Sequence, residues 1–190
     1  FWKNMMNCTQ LTKLNIPDLD VVEVDKPAFF YEWMKSSPIS KIKMCNDDED
    51  ARPLEHPLAR ILPEMKYLRS LELAMDLKLM KSHLKKCTQL TKLYLSIMPK
   101  DPPNVVSVLK NMRELEKLVI CCLDALPTSF YALHFPHLTT LDIVVASSDM
   151  HLLAGFLQRH PKLTDLTVNI SGDDVNLDQS WKILLSCPEL

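Results

Sequence analysis

The stretch Cys8-Thr9-Gln10-Leu11-Thr12-Lys13-Leu14 returns letter for letter at Cys87 to Leu93. Identity over seven residues within one chain asks first for an internal repeat. Read as L-x-x-L-x-L, the positions Leu11, Leu14 and Ile16 have counterparts at Ile39/Ile42/Met44, Leu68/Leu71/Leu73, Leu90/Leu93/Leu95, Leu115/Leu118/Ile120, Leu138/Leu141/Ile143 and Leu163/Leu166/Val168, and Leu190 opens another. Successive first positions stand 22 to 29 residues apart. The two identical stretches therefore fill the same slot, three repeats apart.

Inside each copy the closing positions alternate polar and apolar, as in Thr164-Asp165-Leu166-Thr167-Val168, which predicts one short half-buried strand. Between copies the spacing changes to that of a helix face. Phe29/Phe30/Trp33/Met34 and Leu152/Leu153/Phe156/Leu157 share an i, i+1, i+4, i+5 pattern, and Trp181/Leu184/Leu185 continues it. Helix starts are marked by Pro27, Pro57, Asp101-Pro102-Pro103 ahead of Val105/Val108/Leu109/Met112, and Ser148-Asp149. Three residues before each leading Leu or Ile stand Cys8, Ser36, Met65, Cys87, Met112, Phe135, His160 and Cys187, expected to plug the helix-strand junction. Pro136, Pro161 and Pro188 follow that slot and stop the helix.

A strand-helix unit of this size cannot bury its own apolar face and must stack on its neighbours with all strands parallel. The expected fold is an α/β solenoid with strands on a concave inner face and helices on a convex outer face. Residues 1–190 form a single domain of about seven repeats, expected to be truncated at both ends. Leu14, Leu71, Leu93, Leu118, Leu141 and Leu166 are the expected core row.

Composition agrees. With 47% apolar residues in 190, the chain can bury a sizeable core. A net charge of -2 and a pI near 6.3 give no reason to expect nucleic acid or an anionic membrane as partner. No apolar run approaches the ~20 residues of a membrane span, and the opening Phe1-Trp2-Lys3-Asn4 lacks a signal-peptide layout. Six cysteines (Cys8, Cys45, Cys87, Cys121, Cys122, Cys187) include no CxxC pair, so free thiols in a reducing, cytoplasmic or nuclear, compartment are expected.

On these motifs the chain resembles the leucine-rich repeat superfamily, from Cys8 to Leu190. The C-x-x-L-x-x-L-x-L form at Cys8 and Cys87, the irregular repeat lengths and the helical outer segments look most like the cysteine-containing repeats of F-box proteins, with the ribonuclease-inhibitor-like subclass as competitor. The resemblance implies a protein-binding module: the substrate-recognition region of an F-box-type ubiquitin-ligase adaptor, which would reach the ligase core through a module outside this stretch. The alternative it implies is a sensor or scaffold domain with no ligase link. Family repeats usually carry Asn or Cys about three residues after the last strand hydrophobe. Here those positions hold Leu19, Asp47, Asp76, Met98, Leu123, Ala146 and Ser171, and glycine occurs only at Gly155 and Gly172. Without an asparagine ladder, the loops are expected to be held by proline and local packing.

No catalytic, cofactor or metal site is expected. His134 and His137 form an HxxH interrupted by Pro136 and read as junction histidines rather than zinc ligands. Cys121-Cys122 has no adjacent base and reads as buried thiols. The run Asn46-Asp47-Asp48-Glu49-Asp50 lacks the spacing of a calcium loop and reads as a solvated turn. No phosphate-cradle or hydrolase motif is present. Function then falls to the exposed strand positions, in chain order Lys13/Asn15, Lys41/Lys43, Ser70/Glu72, Lys92/Tyr94, Lys117/Val119, Thr140/Asp142 and Asp165/Thr167. Five lysines oppose one glutamate on the first five strands, and two aspartates stand on the last two. The partner-binding set is Lys13, Lys41, Lys43, Glu72, Lys92, Tyr94, Lys117, Asp142 and Asp165, with Tyr94 as aromatic anchor. Lys85 and Lys86 are expected on the helical side, away from that face.

Overall fold

The computed structural model describes residues 7–16, 28–45, 57–74, 77–97, 102–122 and 124–171. Each L-x-x-L-x-L copy ends in a strand: β1 Lys13–Ile16, β2 Lys41–Cys45, β3 Ser70–Ala74, β4 Lys92–Ile97, β5 Lys117–Cys122, β6 Thr140–Ala146 and β7 Asp165–Ser171. The seven form one open sheet in chain order with every neighbouring pair parallel. Helices α1 Ala28–Ser36, α2 Pro57–Ile61, α3 Leu77–Leu84, α4 Pro102–Leu109 and α5 Met150–Gln158 return the chain between strands. In the sixth unit, squeezed between Leu115 and Leu138, a 3-10 turn at Thr128–Ala132 takes the helix's place. This is the α/β leucine-rich-repeat solenoid that the period predicts. Trp181, Leu184, Leu185, Cys187, Pro188 and the acidic run at 46–50 lie outside the described residues.

Register explains the burial. Leu14, Ile42, Leu71, Leu93, Leu118, Leu141 and Leu166 stand side by side in one row across the sheet. Five of these, Ile42 to Leu141, are fully buried beneath helix residues such as Met34, Leu58, Met80, Val108 and Phe156. Leu14 and Leu166, expected to match them, are only half-buried because β1 and β7 each have a strand on one side only among the described residues. The junction slot behaves likewise. Met65, Cys87, Met112, Phe135 and His160 are buried plugs, whereas Cys8 and Ser36 are exposed. In the second unit the helix runs through Ser36, and it is Ser37 that turns inward and donates its hydroxyl to the Met34 carbonyl at 2.8 Å.

The turns that lead into the strands are tied together by backbone bonds between units. The residue before each strand offers its carbonyl to two N–H groups of the next unit: Thr12 to Ser40 and Lys41, Ser40 to Arg69 and Ser70, Arg69 to Thr91 and Lys92, Thr91 to Glu116 and Lys117, Glu116 to Thr139 and Thr140, and Thr139 to Thr164 and Asp165. Hydroxyls reinforce the same carbonyls. Ser40, Thr91, Thr139 and Thr164 each donate to the carbonyl one unit back, at 3.0 to 3.4 Å. A ladder of serine and threonine thus lines the edge where strands begin, and it fixes the register on which the exposed face depends.

Candidate functional site

The sheet's second face carries no helix among the described residues, and register sorts its side chains into rows. The first row is Lys13, Lys41, Ser70, Lys92, Lys117, Thr140 and Asp165; the second is Asn15, Lys43, Glu72, Tyr94, Val119, Asp142 and Thr167. All nine residues expected to bind a partner therefore share one face. Alternation accounts for this, because each flanks a leucine of the core row and must point the other way.

Within the face, five side chains meet. Glu72 on β3 lies between the lysines of β2: its carboxylate accepts from Lys43 Nζ and stands 3.8 Å from Lys41 Nζ. Tyr94 on β4 lies under two cations from opposite sides, with Lys41 Nζ 5.8 Å and Lys117 Nζ 5.7 Å from the ring centroid. Lys41 can reach across β3 because Ser70 separates it from Lys92, and this small residue is 9% exposed although it faces outward. Lysines over an aromatic face are attracted to its electron-rich centre. The contacts align their ammonium groups while both lysines stay partly exposed.

The other members stand apart. Lys13 on β1 and Lys92 on β4 are exposed, and neither forms an ion pair among the described residues. Asp142 is half-buried on β6 and Asp165 is exposed on β7, both beyond the lysine group. Sequence reading missed one neighbour. Cys121, expected to be buried, is exposed on this face, in register with Ser96 of β4, because it continues the alternation of Lys117 and Val119. Its thiol pKa is raised by surrounding protein atoms and by the Asp142 carboxylate, and that of half-buried Cys122 is pushed up to about 11, chiefly by burial. Neither is a thiolate nucleophile at neutral pH.

His134 and His137 are both exposed, and among the described residues no group of three His, Cys, Asp or Glu side chains could hold a metal ion. The buried histidine nearby is His160, in the junction of the next unit, whose ring lies 5.4 Å from that of His134. Lys85 and Lys86, expected on the helical side, directly follow the last turn of helix α3, and the Lys85 N–H bonds the Lys81 carbonyl. Helix α3 ends at Leu84, so both lysines lie in the turn that leads to β4, at the edge where the strands begin. No helix among the described residues is long and apolar enough to cross a membrane.

The chain matches no protein-family profile, and no curated protein matches it in sequence. Among solved structures it is similar to internalin C2 from Listeria monocytogenes, at 19% identity and a TM-score of 0.43, with 80% of this chain and 59% of that chain covered. The chain thus spans less than two thirds of that protein's length.

Proposed function

We propose that this chain is a protein-interaction module that captures an acidic segment of a target on the open face of its sheet, with Lys41, Lys43, Lys92 and Lys117 as the recruiting charges and Tyr94 as anchor. The observation that carries this reading is the pair of lysines held over one half-exposed tyrosine. It provides aromatic contact area with cations already aligned around it, a combination suited to carboxylate-bearing chains. Asp142 and Asp165 at the far strands give the face a polarity that orients the bound segment.

Within this reading, the cysteine-containing repeat form favours the substrate-recognition part of an F-box-type ubiquitin-ligase adaptor working in the cytoplasm or nucleus. The free thiols at Cys87, Cys121 and Cys122 suit a reducing compartment. Reversing Lys92 and Lys117 to Glu should slow association with an acidic target and flatten its salt dependence, because complementary charge acts mainly on encounter rate. Stopped-flow association at two ionic strengths checks this. An unchanged rate would remove the open face from the reading. Co-purification of the gene's full product with a ubiquitin-ligase core tests the adaptor role, and its failure would favour a scaffold with no ligase link.

A further inference from the structure

The three consecutive turns leading into β3, β4 and β5 each carry two cations: Lys66 and Arg69, Lys85 and Lys86, Lys110 and Arg113. All six are exposed, and none of them forms an ion pair among the described residues. The Arg69 guanidinium caps its own turn through the carbonyls of Lys66 and Leu68, and the other five make no side-chain hydrogen bond among the described residues. Opposing charge within these turns is confined to Glu114 and Glu116. The negative ends of α3 and α4 account for Lys85, Lys86 and Lys110 at helix C-termini. They do not account for Lys66, which follows a 3-10 turn, nor for Arg69 and Arg113 nearer the strands. The six border the first row of the open face, where Lys92 and Lys117 continue the same positive field at neighbouring strand starts.

We infer that the acidic segment does not stop at the open face but folds over the edge where the strands begin, with the turn cations as the second half of its site. The occupant is an extended, carboxylate-rich polypeptide that crosses β3 to β5, two strand spacings or roughly 10 Å, before turning over the rim. Charge complementarity argues for it. Unneutralised like charges on adjacent turns repel one another, and carboxylates relieve that repulsion on binding. A polypeptide fits better than a nucleic acid because Glu72, Glu114 and Glu116 punctuate the strip. A flexible chain can leave gaps at these acids, whereas evenly spaced phosphates would meet them. This inference rests on the capture reading above and extends its site.

The test compares the unaltered chain with two variants of equal charge change, K92E/K117E on the face and K85E/K110E on the turns, for binding of poly-L-glutamate by titration at two ionic strengths. If the strip is one site, the turn variant weakens binding by about tenfold or more, as the face variant does, and each lowers the salt dependence. Loss in the face variant with an unaffected turn variant overturns the rim and leaves the capture reading standing. Loss in the turn variant alone keeps the rim and removes the face. No loss in either sinks both. Circular dichroism of each variant separates lost binding from lost fold. A single-stranded oligonucleotide of matched charge that bound more tightly than poly-L-glutamate would overturn the assignment to a polypeptide, and so would sedimentation showing that the strip instead pairs with a second copy.

Discussion

His160 fills the junction slot that Cys87 fills three units earlier, and both bond the carbonyl four residues back: Cys87 Sγ reaches the His83 oxygen at 3.6 Å, and His160 Nδ1 reaches the Phe156 oxygen at 2.6 Å. The imidazole does more than the thiol. Its Nε2 accepts the N–H of Phe135 at 2.9 Å, so the tautomer is fixed with the proton on Nδ1, and the ring ties one unit to the next. Its face stacks on Phe156 with ring centroids 3.9 Å apart. Burial holds its pKa below the ordinary value of 6.5; the Phe156 bond pulls upward, and His134 and Arg159 nearby push further down. Well above pH 6.5 the ring is neutral in both folded and unfolded chains. As pH falls below that value the unfolded chain takes up a proton that the folded chain resists, so stability declines toward the lowered folded pKa. Replacing His160 with Cys should lower stability at pH 7.5 by about 1–3 kcal/mol, since Phe135 N–H loses its acceptor, and should flatten the decline between pH 6.5 and 5. Melting temperatures across that range decide it. Parallel curves for both proteins would mean that other groups carry the acid sensitivity.

At the scale of elements, the repeat unit was legible because two periods coexist in it. The leucine alternation placed the nine expected partner-binding residues on one face, although it left Cys121 unassigned to it, and Tyr94, Lys92 and Glu72 needed no structure to be found together. Their actual contacts did need it, since Lys41 meets Tyr94 across an intervening strand and only the register reveals that Ser70 leaves room. Leu118 is fully buried in the middle of the row, while Leu166 on β7 is half-buried. Leu118→Ala should cost roughly 2–5 kcal/mol, and Leu166→Ala should cost distinctly less because neighbours on one side only leave a smaller cavity. Chemical denaturation of the pair measures the difference. Equal losses would contradict the half-burial of Leu166. The hydroxyl ladder escaped the sequence reading because a Ser or Thr before a strand carries no motif. Its signal was the recurrence of Thr12, Ser40, Thr91, Thr139 and Thr164 at one position of the repeat. Thr139→Val removes the 3.0 Å bond to the Glu116 carbonyl and keeps the branched shape. It should cost about 0.5–1.5 kcal/mol, because two backbone donors still reach that carbonyl. A denaturation midpoint equal to that of the parent would make the hydroxyls decoration.

For the whole molecule, helix ends decided what the sequence could not place. Lys85 and Lys86 follow Leu84, the last residue of α3, and the Lys85 N–H bonds the Lys81 carbonyl, so they stand where the helix passes into the turn toward β4. Faces follow from period, whereas edges follow from where an element stops, and a charged strip at an edge is visible only once the stops are known. The ladder at that edge has a consequence for variation. Each strand begins at a carbonyl supplied by the unit before it, so this edge acts as a datum line, and the spread of unit lengths must be absorbed on the opposite edge, where helices begin. Insertions there would leave every lysine of the face where it is. One residue inserted between Thr91 and Leu93 would instead turn Lys92 inward or drive a leucine out, since side chains alternate with a period of two. The array therefore has a tolerant margin and an intolerant one, and a map of accepted insertions along the chain would trace the datum line directly.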